Sequence, residues 1–234
     1  MKTPQNRNFV LLGAGGHARV LLSLMRAAGH VVLGVCDPQL GINKTPSWEG
    51  LHVIGNDAAL AKQFGKDQIV LALGVGQLCH GTLRERIYDH WRSLGYDFPA
   101  LVHPSAWLAD DAVLADGVQI MAGAIIQPCC IIGENSIINT RASIDHDCQI
   151  GSNVHVAPGA TLCGAVRVSN GSFIGAGAVI TQDIRIGERA VVGAGTTLVR
   201  DLDSYQTIIG GPQRLSTHSS CVGVKSEQQK RDEN

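Results

Sequence analysis

Aromatic side chains are scarce in this chain, at 4% of 234 residues, which leaves little material for a core built on large rings. No sign of charge dominates either. The formal net charge is −1, so nothing marks a nucleic-acid-binding or membrane-binding surface. The seven cysteines show neither CxxC spacing nor a secreted framework, which argues against a zinc ribbon or a disulfide scaffold. Free thiols in a reducing cytoplasm are the expectation. Long apolar runs are missing as well. The opening stretch MKTPQNRNFVLLGAGGH has a short apolar run broken by glycines, and reads as neither a signal peptide nor a membrane span. What is abundant is glycine, with 28 residues. Many glycines and few rings suit a fold of tight turns and small buried side chains.

An internal repeat accounts for the glycines. From Leu108 to Leu198 every sixth residue is Leu, Ile or Val: Leu108, Leu114, Ile120, Ile126, Ile132, Ile138, Ile144, Ile150, Val156, Leu162, Val168, Ile174, Ile180, Ile186, Val192 and Leu198. Such residues fill about a quarter of an ordinary chain, so an unbroken run of this length does not arise by chance. Two positions before the aliphatic residue stands a small one: Ala124, Ser136, Ala142, Ala160, Ala178 or Ala190. Three positions after it come turn formers such as Gly117, Gly123, Asn135, Asn153, Gly159, Gly171, Gly177 and Gly195. Each hexapeptide therefore reads as a short strand and a corner, with the small and aliphatic residues on one side of the strand and the corner residue at positive φ. The whole reads as a parallel β-helix. It resembles the left-handed hexapeptide solenoids, and their three hexapeptides per triangular coil imply that residues 18 apart stack in columns.

The first 100 residues follow another rule. NFVLLGAGGHARVLLSLMRAAGH reads as a strand over 8–12, a glycine turn, and a helix over 16–28 stopped by Gly29. VVLGVCD (31–37) and DQIVLALG (67–74) read as strands, and GTLRERIYDHWRSLG (81–95) as a helix. Alternating β and α predicts a small parallel sheet flanked by helices, a Rossmann-like domain over 1–100. FPALVHPSA (98–106) connects it to a solenoid domain over 101–213, and residues 214–234 form a polar tail expected to be disordered.

Gly13-Ala14-Gly15-Gly16-His17-Ala18 matches G-x-G-x-x-A between a strand and a helix. Glycines there let backbone approach a phosphate at a helix N-terminus, and Asp37, at the end of the next strand, is placed to hold a ribose or a base. The same glycines would also serve a tight turn that packs sheet on helix. A nicotinamide cofactor is compatible with the motif, but the sheet is short for a full dinucleotide fold, and a single nucleotide fits better.

Two histidines interrupt the repeat in INTRASIDHDCQIGSNVHVAPGATLCG (138–164). His146 lies between two aspartates and stacks on Gly164 and Pro128. His155 is half a coil away, so in one chain the two rings point from different sides of the prism, and only a second subunit can bring them together. Cys130 and Cys148, 18 apart, suit a small inward ladder. Cys163 is the competing candidate, as an acyl-carrying thiol.

The loop GAGGHARV, the linker HPSA, the His-Asp pair in NTRASIDHDCQIGSNVHVAPGATLCG and the closing IIGGPQR together resemble the NeuD/PglD-like sugar acetyltransferases, within the hexapeptide-repeat acyltransferases. The family contains sialic-acid O-acetyltransferases and UDP-4-amino-sugar N-acetyltransferases. The resemblance spans about residues 8–214 and implies a left-handed β-helix, a homotrimer, acetyl-CoA bound along the solenoid between subunits, and a nucleotide-linked amino sugar against the N-terminal domain. It implies His146 as general base, Asp147 as its orienting carboxylate where the family commonly has Glu, and Asn139 placing the acceptor. It sets His155, Gly164, Ala176 and Ala194 along the coenzyme, and Gly15, Gly16, His17, Asp37 and Gly74 against the nucleotide sugar. The implied reaction is acetyl transfer from acetyl-CoA to the amine of a UDP-4-amino-4,6-dideoxy sugar by direct attack in a ternary complex, with no metal, in the synthesis of surface polysaccharide. A sugar hydroxyl as acceptor is the nearest alternative. A zinc lyase, needing three converging histidines, and a non-catalytic nucleotide-sugar-binding scaffold are the alternatives of other classes.

Overall fold

The computed structural model describes residues 8–211; the expected tail, 214–234, lies outside them. The N-terminal part opens with β1 (Asn8–Leu12), buried from Phe9 onward, and α1 (Gly16–Ala27), which turns Ala18, Leu21, Leu22, Leu24 and Met25 toward the sheet. Gly29 ends α1 at φ +74°, with its N–H on Arg26 O and the His30 N–H on Met25 O, a Schellman-type cap. Next come β2 (Val32–Cys36), α2 (Pro38–Ile42), β3 (Ser47–Trp48), β4 (Leu51–Gly55), α3 (Asp57–Gln63), β5 (Ile69–Leu73) and α4 (Leu83–Ser93). The strand order is β3-β4-β2-β1-β5. Four strands are parallel, but β3 runs antiparallel to β4, so the sheet is mixed rather than the all-parallel one expected. Residues 38–66 carry no clear periodicity, and the four short elements they hold are not legible as a pattern.

The chain then winds into a left-handed parallel β-helix. Two-residue strands recur every six residues from Leu101–Val102 and form three faces. The first face stacks Leu101–Val102, Gln119–Ile120, Ile137–Ile138, His155–Val156, Phe173–Ile174, Val191–Val192 and Thr207–Ile208. The second runs from Trp107–Leu108 to Thr197–Leu198, and the third from Val113–Leu114 to Arg185–Ile186. The aliphatic residue of each strand and the small residue two before it fill one continuous core, where Ile138, Ala142, Ile144, Cys148, Val156 and Ala160 are fully buried. The expected turn formers all have positive φ, between +57° and +72°. The β-helix starts earlier than the repeat suggests, because Leu101–Val102 already pairs with Gln119–Ile120. It also ends later. Val191 pairs with Thr207 and Ile186 with Leu202, sixteen residues apart instead of eighteen, so the last coil is two residues shorter and breaks the sixfold spacing.

The N-terminal domain covers the first face. Outward residues there are buried (Gln119, Ile137, His155, Val191), while those of the other faces are open, with Trp107 and Val113 at least half exposed. α4 also docks on the corner between the third and first faces. Arg189 pairs with Glu85 at 2.9 Å, Arg92 with Asp116 at 3.1 Å, and Tyr88 donates to Asp116 O. Gly117, at φ +72°, has no room for a side chain, since a Cβ would lie 2.7 Å from the Tyr88 ring. Two corners and two faces of the prism stay open.

Candidate active site

His146 sits on the open corner between the second and third faces, following strand Ser143–Ile144. Asp147, next to it, takes the left-handed corner conformation (φ +61°). That turn swings its carboxylate back onto the ring, so that His146 Nδ1–H donates to Asp147 Oδ2 at 2.7 Å. A carboxylate accepts only, so the neutral ring keeps its lone pair on Nε2. The hydrogen bond to Asp147, and then the charge of Asp145, raise the His146 pKa above its ordinary value. Gly164 lies directly above in the next coil. A Cβ there would be 2.6 Å from both Cε1 and Nε2 of the ring, so glycine is what makes room for the imidazole. Cys130 and Cys148 form the inward ladder, both fully buried, with their thiols on Asp145 O and Cys163 O. The six described cysteines are free.

Asn139, Ala176 and Ala194 fall on the other open corner, between the first and second faces, Asn139 one residue and the two alanines two residues after a first-face strand. Asn139 Oδ1 accepts the Thr140 N–H at 2.7 Å, which fixes its amide. Asn139 Nδ2 therefore donates to His155 Nε2 at 3.1 Å. On the far side, His155 Nδ1 meets Gln77 O at 3.1 Å and must carry the proton. Burial holds the His155 pKa down at about 4, with the Arg84 charge adding to it, so the ring is neutral and its tautomer is set. Gly159, Gly177 and Gly195 run up this corner at positive φ, and none has anything within 4 Å of where a Cβ would stand.

In the glycine loop, Gly15 and Gly16 likewise face open space, and Gly15 precedes α1 with no side-chain cap. Gly74 differs: a Cβ there would lie 2.8 Å from Ala18 Cβ, so its glycine serves helix-on-sheet packing. Asp37 is held by protein. Its carboxylate accepts from Gln39 N and Leu40 N as the cap of α2, and from Ala14 N of the glycine loop at 3.0 Å. Beside it a cleft of about 350 Å³ opens between Pro38, Gly41, Ile42, Gly55, Asn56 and Ala59. His17 turns away from the loop mouth toward the solenoid. Gln119 Nε2 donates to Leu73 O, so its Oε1 faces His17 Nε2 at 2.8 Å and accepts that proton. Burial, then the charge of Arg84, hold the His17 pKa at about 4.

The chain is similar over most of its length to solved sugar acetyltransferases. The GDP-perosamine N-acetyltransferase PerB from Caulobacter crescentus, solved with CoA and GDP-perosamine, is 32% identical, with a TM-score of 0.79 over 91% of this chain and 98% of that one. The acetyltransferase domain of PglB from Neisseria gonorrhoeae FA1090, solved with acetyl coenzyme A, is 32% identical, with a TM-score of 0.81 over 88% of this chain and 98% of that one. This chain belongs to the PglD family of sugar N-acetyltransferases. The model of the PglD N-terminal domain matches residues 8–90, and the bacterial transferase hexapeptide model matches 111–145, 129–164 and 165–200. WeeI from Acinetobacter baumannii AYE, at 21% identity and a TM-score of 0.78 over 89% of this chain and 99% of that one, shares the fold. A search of curated proteins gives no match.

For this PglD-family chain, the expected residues fall into three places. His146, Asp147 and Gly164 share one open corner. Asn139, Ala176 and Ala194 share the next, with His155 beside them under the N-terminal domain. Gly15, Gly16, His17, Asp37 and Gly74 ring the glycine loop. The second face separates the first two groups. Gln77 and Gln119, which hold His155 and His17 between domains, and Arg84, which bonds carbonyls of both, carry no sequence motif. Gln119 alone leaves a trace, as a polar residue two coils before His155 in the same outward column. Among the described residues no group of three His, Cys, Asp or Glu side chains could hold a metal ion, and no helix is long and apolar enough to cross a membrane.

Proposed function

We propose that this chain transfers the acetyl group of acetyl-CoA to the amino group of a nucleotide-linked amino sugar of the UDP-4-amino-4,6-dideoxy type. It does so as a homotrimer with its sites between subunits, the N-terminal domain holding the nucleotide sugar and the solenoid holding the coenzyme. The observation that carries this reading is His146, with Nδ1 held by Asp147 at 2.7 Å and Nε2 bare above Gly164, in a chain alike along its length to nucleotide-sugar N-acetyltransferases.

Acetyl-CoA supplies an acetyl group already activated as a thioester. The chain's own task is to bring an amine to it without its proton. His146 Nε2 takes a proton from the amine as its nitrogen bonds the acetyl carbon, Asp147 steadies the imidazolium that results, and the C–S bond breaks to release CoA as a thiolate that the imidazolium can protonate. Asn139, its amide fixed by Thr140 and His155, presents the acceptor. Because Asn139 and His146 stand on different corners, a neighbouring subunit completes each site, and the open apolar second face between those corners (Trp107, Ile125, Val179) supports such a neighbour. Gly15 and Gly16 leave room for the diphosphate, and the cleft beside Asp37 for the nucleoside. The test is acetyl transfer measured on a panel of UDP- and GDP-linked amino sugars and of sialic-acid-type hydroxyl acceptors. N-acetylated product from a nucleotide amino sugar is expected; turnover of hydroxyl acceptors alone would overturn the proposal.

A further inference from the structure

Arg84, the second residue of α4, is 2% exposed. Its guanidinium donates only to backbone carbonyls: Nη1 to Leu73 O at 3.0 Å and Val75 O at 2.7 Å, and Nε to Asn135 O at 3.1 Å. Among the described residues Nη2 has no partner, and no carboxylate pairs with it. A full charge buried without a counter-charge opposes folding strongly, and three neutral carbonyls offset only part of that. Burial pulls the Arg84 pKa down to about 9, so the group is still charged at neutral pH. An uncharged side chain would pack there with less penalty, so the charge itself needs a reason.

The position supplies one. Leu73 O and Val75 O flank Gly74 at the C-terminal end of β5, beside the glycine loop. Gly74 N donates to Leu12 O, and Val75 occupies the space next to Gly13. Leu73 O also accepts from Gln119, whose side-chain oxygen takes the proton of His17, the residue that follows Gly15 and Gly16. A chain of three hydrogen bonds thus links the guanidinium to the loop. The other charges around the loop do not help an anion. His17 is neutral, Arg19 is exposed and paired with Glu49 at 2.8 Å, and Arg26 bonds Glu49 O. Asp37, bonded to Ala14 N, brings a negative charge to the loop itself.

We propose that Arg84 is a positioning residue for the diphosphate of the nucleotide sugar, a buried guanidinium that supplies positive field beneath the glycine loop without touching the ligand. The inference rests on the reading of that loop as the nucleotide-sugar site. Buried charge is screened weakly by salt, so its effect persists at physiological ionic strength.

Calorimetry on the full chain tests it, with UDP and GDP compared with uridine and guanosine for the native protein, Arg84→Met and Arg84→Gln. If the native protein binds neither diphosphate, the reading of the loop fails. If it binds one, Arg84→Met should weaken that diphosphate at least tenfold, about 1.4 kcal/mol. Nucleoside affinity and the KM for acetyl-CoA should stay within about threefold, and Arg84→Gln, which can still donate to the carbonyls but carries no charge, should lose the diphosphate as Arg84→Met does. No loss in Arg84→Met, or equal loss for nucleoside and diphosphate, overturns the inference and leaves Arg84 a packing residue. Should Arg84→Met fail to fold, Arg84→Gln decides: a diphosphate-to-nucleoside ratio within about threefold of native refutes the inference.

Discussion

Replacing Gly164 by alanine should disarm His146 while leaving the fold intact. A Cβ at this position would stand 2.6 Å from Cε1 and Nε2 of the ring, and ordinary contact begins at 3.4 Å. The imidazole must therefore move by about 0.8 Å, or tilt by an equivalent amount. The obstacle is the end of a side chain rather than backbone, and Gly164 is not among the glycines at positive φ, so the main chain accepts alanine. Stability should change by less than about 1 kcal/mol, which for a domain of this size is a shift of a few degrees in Tm. The catalytic cost is larger, because a misplacement near 1 Å can lose about a hundredfold in rate. Steady-state kinetics with acetyl-CoA and the best nucleotide amino sugar should show kcat down by about two orders of magnitude, with a smaller change in either KM. Gly29→Ala is the control. It forces alanine to φ +74° at the end of α1, far from the chemistry, and should cost stability while leaving kcat as it was. Full kcat in Gly164→Ala, or an effect confined to the KM for acetyl-CoA, would refute the placement of the ring and make Gly164 a coenzyme contact only.

Two pH effects follow from the histidines. If His146 is the base proposed, it works only when neutral, and its raised pKa keeps it protonated to higher pH, so kcat/KM should fall on the acid side with a midpoint above the ordinary 6.5. Asp147→Asn removes the largest cause, and should move that midpoint down while lowering the plateau by about ten- to a hundredfold; an unmoved midpoint would mean that another group titrates. His17 and His155 behave in the opposite way. Both are held at about 4 when folded, below the ordinary 6.5, so between those values the unfolded chain binds protons that the native one does not. These two rings add no slope above pH 7, and their contribution should fall as pH drops from about 6.5 to 4, by up to about 3 kcal/mol per ring. Thermal unfolding against pH checks this, and His155→Gln should flatten part of the slope.

The solenoid was legible because its rule is local. Each corner needs a residue at positive φ and each coil needs an inward aliphatic, so both appear at fixed spacing whatever surrounds them. The last coil was not legible, because losing two residues between Ile186 and Leu202 erases the period without erasing the pairing. The placement of His146 against Gly164 followed from the 18-residue column alone. His17 shows the limit. The motif fixes its position in the loop, but its side-chain direction depends on Gln119, 102 residues later, across a domain contact that no sequence pattern records. Asp37 is similar, since a carboxylate at a strand end serves a ribose or a helix cap equally well, and here Gln39 and Leu40 occupy it. Arg84 and Gln77 gave no signal, because Arg84 donates to backbone carbonyls and Gln77 accepts from His155 with its own, and every residue has a carbonyl.

The central claim is that a site takes His146 from one subunit and Asn139 from the next. Mixing inactive His146→Ala with inactive Asn139→Ala, then unfolding and refolding them together, tests it most directly. In randomly reassembled trimers about a quarter of the sites would receive both intact residues, so roughly a quarter of native activity should return. Activity that stays at the level of the separate variants would place both residues in a single subunit's site, or neither in any, and would contradict the account.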